Sequence, residues 1–137
     1  MVAGYLGSLG VMEQHRGNEE LWEEYRRVIA NHIWQGHDVI DTVNRLLRKS
    51  PWFANPEETL QIPRSNLAMT QESWALSRLW SLIHLKQVTE VEPNSIDGAI
   101  LTVRCKGNDY LMDGRRRINH WHRNGAVGLH RVLILSA

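Results

Sequence analysis

The chain has a single cysteine, Cys105, so no disulfide within it can staple the fold, and a reducing, cytoplasmic setting suits it. It lacks any apolar run long enough to span a bilayer, which argues against a membrane protein. The opening stretch MVAGYLGSLGVM has no cationic segment, and Gly4, Gly7 and Gly10 interrupt it. The expectation there is a loose arm or one short strand rather than a signal peptide. Internal repeats and low-complexity tracts are missing too. Net charge is almost absent, at +1, which disfavours a broad nucleic-acid-binding surface. With 137 residues the chain is still long enough for one domain whose core needs neither disulfides nor metals.

The near-neutral total conceals an asymmetry. Residues 1–100 carry nine Lys and Arg against thirteen Asp and Glu, whereas residues 101–137 carry seven against two. An anion-attracting segment is thus attached to a mildly acidic body, a pattern that fits a local phosphate site.

Asn18 is placed to cap a helix that opens with Glu19, Glu20, Glu23 and Glu24, carboxylates suited to the positive end of the dipole. Leu21, Trp22, Tyr25, Val28, Ile29, Ile33 and Trp34 recur at helical spacing until Gly36. Asp38 is positioned to cap a second helix carrying Val39, Ile40, Val43, Leu46 and Leu47, closed by Arg45, Arg48 and Lys49 and stopped by Pro51. This predicts a helical pair over 19–49, inside an N-terminal arm and extension of residues 1–57.

Residues 58–137 predict an α+β domain. TLQIPRSNL reads as a short extended piece, because Pro63 is barred from a helix interior. Thr70 then caps a helix with Leu76, Leu79, Trp80 and Ile83 on one face, and EVEPNSIDG is a loop. AILTVRC, KGN and DYLMDG form a β-hairpin, RRRINHWHRNG a helix ended by Gly125, and HRVLIL a final buried strand. The expected fold is a small mixed β-sheet with helices plus the helical pair, all in one compact unit.

Where the hairpin meets the last helix the chain reads YLMDGRRRIN. A helix start presents unpaired N–H groups and the positive end of the dipole, so Arg115, Arg116 and Arg117 oppose helix stability there. A bound anion resolves the conflict: phosphate takes N–H bonds from the helix start and paired bonds from guanidinium groups. Gly114 lets the backbone approach closely, and Asp113 can cap the helix, orient an arginine or help hold a metal. The plainer alternative is a solvated charge run with one arginine paired to a carboxylate.

This box resembles that of the ParB/sulfiredoxin-like fold, in which a strand enters a glycine-containing turn and a helix with arginine at the third position after the glycine. HRVLIL is similar to the family's closing strand, and LQIPRSNLAMTQESWALSRLWSLI to its opening strand and first helix, so the likeness spans residues 58–137. The resemblance implies a nucleotide or nucleic-acid phosphate bound at Gly114, Arg115, Arg116 and Arg117; whether a divalent metal accompanies the nucleotide stays open. Arg117 falls on the family's phosphate-contacting arginine. Family members include partition clamps, nucleases, amino-acid kinases and a sulfinic-acid reductase. Arg115 stands where the reductase has its cysteine and partition proteins a glutamate, so neither activity is implied here.

A nucleic-acid binder without chemistry is disfavoured by the near-neutral charge, and two further classes of function remain open at this level. One is a phosphodiesterase, nuclease or nucleotide hydrolase, with Asp113 near the metal and His120 or His122 as a general base. The other is a non-catalytic interaction module or inhibitor, of the sort found on plasmids and phages, that docks a partner or a second copy through its N-terminal helices. A metal held by histidines is disfavoured, because His120 and His122 stand two apart on a helix and face different ways. Trp22, Trp34, Trp74 and Trp80 occupy core spacing. Trp121 either stacks on a base or packs against the last strand, and Cys105 reads as a buried thiol.

Overall fold

The computed structural model describes residues 15–17, 19–32, 36–49 and 60–137. Asn18, Ile33, Trp34, Pro51, the opening arm and the connector around the 57/58 boundary lie outside the described residues. In chain order the elements are β1 (His15–Gly17), α1 (Glu19–Ile29), a 3-10 turn at Ala30–His32, α2 (Val39–Lys49), β2 (Leu67–Ala75) and α3 (Leu76–Trp80). A second 3-10 turn at Leu85–Gln87 follows, then β3 (Ile100–Cys105), β4 (Asn108–Asp113), α4 (Arg115–Arg123) and β5 (Leu129–Ser136). The strands form one mixed sheet in the order β1-β2-β5-β3-β4. β1–β2 and β3–β5 run parallel, whereas β2–β5 and β3–β4 run antiparallel. The α+β class expected from the sequence is the observed one.

Side-chain alternation assigns each face of the sheet to a helix pair. Leu67, Met69, Leu101, Val103, Cys105, Leu133 and Leu135 point one way and pack under α1 and α2, against Trp22, Tyr25, Ile29, Ile40, Val43 and Leu47. Trp74, Ile100, Val132 and Ile134 point the other way, against Leu79 of α3 and Ile118 of α4. Strands covered on both sides read as continuous apolar runs, which is why HRVLIL and AILTVRC carry so few polar residues. The helical pair is thus half of the main core and not an appendage, and its apolar face is spent on the sheet. Each large side chain fully buried there contributes roughly 1.5–3 kcal/mol of transfer free energy.

Two expectations need correction. The helix expected from Thr70 begins only at Leu76, because residues 68–75 pair with β5 through an eight-residue antiparallel register, Ala68↔Ser136 to Ala75↔Leu129. The extended piece before it joins a strand only at Leu67, the first residue of β2; over 60–66 it forms none, and Ile62 donates its N–H to Asn44 Oδ1 (2.8 Å) while its carbonyl accepts from Asn44 Nδ2 (3.2 Å). A helix side chain therefore replaces the neighbouring strand. Other local signals hold. Asp38 Oδ1 accepts the Asp41 N–H at 2.9 Å as the cap of α2. Lys106 and Gly107, both at positive φ, make the two-residue turn of the β3–β4 hairpin.

Candidate functional site

β4 carries one irregularity, and it lies beside the arginine turn. Leu101 pairs with Asp113, but Thr102 pairs with Leu111, so Met112 is an extra residue in the strand. Such a bulge re-aims the residue beyond it. Without it Asp113 would pair with Ile100 and face α4. With it, Asp113 shares the side of Leu101, toward α1. There the Asp113 carboxylate meets His32, with Nε2 3.4 Å from Oδ1, and Arg117, whose Nη2 donates to Oδ2 at 3.0 Å.

Arg117 is 8% exposed and its guanidinium makes three hydrogen bonds within the protein. Besides Asp113, it donates from Nη1 to the carbonyls of Gly98 (2.8 Å) and Asp97 (3.3 Å). It therefore braces the loop before β3 against the start of α4, while it also lines the cleft described below. The side chains of Arg115, half-buried, and Arg116, exposed, have no hydrogen-bond or ion-pair partner among the described residues. The plainer reading of the arginine run is right about one arginine and leaves two unpaired.

Gly114 is the N-cap of α4 at φ 121° and ψ 9°, and no side chain caps the helix. The first intrahelical bond is Ile118 N–H to Gly114 O, so the N–H groups of residues 115–117 find no acceptor within the helix. A Cβ at Gly114 would stand 2.4 Å from Ile100 Cδ1, so only glycine brings the chain this close to β3.

The helix start opens on a solvent-accessible cleft of about 600 Å³. Its walls are the turn 113–117, the loop 93–99, and Val28, Asn31, His32 and Leu46 of the helical pair. Sequence reasoning missed His32, since it meets Asp113 across 81 residues of sequence, through the packing of α1 on the sheet and the bulge that aims Asp113 toward it. Asn119 was missed as well. Buried in α4, it accepts the Thr89 N–H at 3.0 Å and donates to the carbonyls of Gln87 (3.1 Å) and Arg115 (2.8 Å), pinning the chain that leads into the cleft loop.

The expected catalytic histidines lie elsewhere. His120 Nδ1 pairs with Glu92 Oε2 at 2.8 Å, and His122 stacks on Trp80 with ring centroids 3.7 Å apart; neither lines the cleft. Trp121, half-buried on α4, packs against the core and stacks on His130 of β5 at 4.0 Å. Cys105 is a buried free thiol, as expected. A protein-held metal does not fit. Both Asp113 oxygens are engaged, and the described residues contain no group of three or more His, Cys, Asp or Glu placed to hold an ion.

Tyr25 lies beneath this site, fully buried, its hydroxyl donating to Thr102 O at 2.9 Å. Burial, and secondarily the Asp113 carboxylate, push its phenol well above the ordinary tyrosine range, so it stays neutral. No helix among the described residues is long and apolar enough to cross a membrane. No family model, no curated protein and no solved structure matches this chain.

Proposed function

We propose that the cleft at Gly114–Arg116 binds the phosphate of a nucleotide or of nucleic acid. One observation carries this reading: an uncapped helix start, entered through Gly114 at a positive φ that strains any other residue, is flanked by two unpaired guanidinium groups and faces a cleft. Two cations at the positive end of a helix dipole oppose its stability, and an anion there reverses the sign. The cleft volume suits a small ligand. With the surplus of basic charge confined to the C-terminal segment, a free nucleotide is favoured over a long polymer. The order of elements after residue 60 and the Asp-Gly-Arg box support a ParB/sulfiredoxin-like scaffold, and the single free thiol supports a cytoplasmic setting.

Calorimetric titration of the full chain with CTP, ATP, GTP, inorganic phosphate and a short single-stranded DNA at low salt tests the proposal. Binding that weakens at least tenfold in an Arg115→Gln, Arg116→Gln double variant is the expected outcome. No heat with any of these anions would refute it. A protein partner is the alternative, and it would have to use a surface other than the apolar face of α1 and α2, which the sheet covers.

A further inference from the structure

We infer that His32, held by Asp113 on the wall of the same cleft, is the general base of a hydrolytic reaction on the phosphate bound at Arg115 and Arg116. This rests on the phosphate-binding reading above and adds a chemical step to it. Four observations on the geometry support it. His32 and the arginine turn line one cleft although they are more than 80 residues apart in sequence. Each Asp113 oxygen has its own partner, Arg117 on Oδ2 and His32 on Oδ1, so the carboxylate is fixed before it meets the imidazole. In the tautomer that donates from Nε2 to Asp113, His32 Nδ1 is an acceptor, and it has no hydrogen-bond partner among the described residues. The side chain is 36% exposed, so water reaches it. The 3.4 Å His32–Asp113 contact is long, as base–orienter contacts often are before substrate binds.

The step balances without an added redox partner. A water oxygen forms a bond to phosphorus while His32 Nδ1 takes its proton; the bond from phosphorus to the leaving oxygen breaks, and the imidazolium proton passes to that oxygen through solvent. The Arg115 and Arg116 guanidiniums and the free N–H groups of the helix start stabilise the charge gathering on the other phosphate oxygens. Asp113 is a positioning residue, and Arg117 in turn positions Asp113. His32 thus takes the role the sequence suggested for His120 or His122, and Asp113 orients a base instead of holding a metal.

The test uses the full chain with p-nitrophenyl phosphate, bis(p-nitrophenyl) phosphate, ATP and CTP, each with magnesium and with chelator, alongside binding measured by calorimetry. Turnover of the diester alone points to a phosphodiester substrate, and turnover of the triphosphates to an anhydride; either supports the inference. His32→Gln is expected to lower kcat by at least about 100-fold, the usual lower bound for a lost general base, while Kd changes less than threefold. Added imidazole should restore part of the activity of His32→Gly, which a merely structural histidine would not allow. Asp113→Asn should shift the His32 imidazole nitrogen resonances away from the Nε2-protonated tautomer as well as slow turnover. Binding without turnover of any probe, or a His32→Gln enzyme as fast as the parent, overturns the inference but leaves phosphate binding intact. Failure to bind any probe removes the phosphate reading itself.

Discussion

Replacing Arg117 by methionine separates bracing from binding within one run of three arginines. The change preserves much of the aliphatic stem but removes the ion pair to Asp113 and the two bonds to the Asp97 and Gly98 carbonyls. Breaking a buried pair by removing one partner costs about 3–5 kcal/mol, most of it the penalty of the charge left behind. Asp113 is 24% exposed and keeps His32, so the lower end applies, about 3 kcal/mol. For a domain of this size that lowers Tm by roughly 10 °C. Removing Arg115 and Arg116 together as glutamines should do the opposite. It takes two cations from the positive end of α4, worth about 0.3–1 kcal/mol each at low ionic strength and less in high salt. Thermal and urea unfolding followed by circular dichroism reads both. An Arg117→Met variant within 1 kcal/mol of the parent, or a double glutamine variant destabilised by more than about 1 kcal/mol, would refute the division of roles.

Gly114→Ala forces a side chain onto positive φ and a Cβ to 2.4 Å from Ile100 Cδ1, and should destabilise by about 2–5 kcal/mol in urea unfolding, with phosphate binding lost. Asn119→Ala leaves the Thr89 N–H and the Gln87 carbonyl without their partner and should cost about 2–4 kcal/mol; faster amide exchange confined to residues 87–92 would confirm its pinning role. Tyr25 has a raised folded-state pKa, so the stability it supplies is complete below the unfolded value, about 10, and is lost as pH rises above it. Unfolding free energies from pH 8 to 11 should fall less steeply for Tyr25→Phe than for the parent, and equal slopes would contradict the assignment.

The parts legible in the sequence are those decided by neighbours in the chain. Asp38 capping α2, the Lys106-Gly107 turn and the apolar face of α1 are written within a few residues of where they act. β2 was not legible as a strand to its end. Leu67 and Met69 serve the α1–α2 face and Trp74 the other, with exposed positions between, so neither a helical nor a strand period stands out. Its partner β5 lies some sixty residues downstream. The site divides in the same way. The Gly114 turn and its unpaired arginines follow from local charge and backbone rules. The capture of Arg117 rests on carbonyls some twenty residues upstream, and the aim of Asp113 toward His32 rests on a one-residue bulge, which no local signal announces.

The claim on which the account turns is that an anion sits on the start of α4. Nitrogen-15 heteronuclear spectra of the full chain, titrated with inorganic phosphate and then with CTP, test it most directly. The account predicts saturable shifts at the backbone amides of Arg115, Arg116 and Arg117, abolished in the Arg115→Gln, Arg116→Gln variant. Amides there that stay fixed while the anion binds elsewhere, or fails to bind, would contradict it.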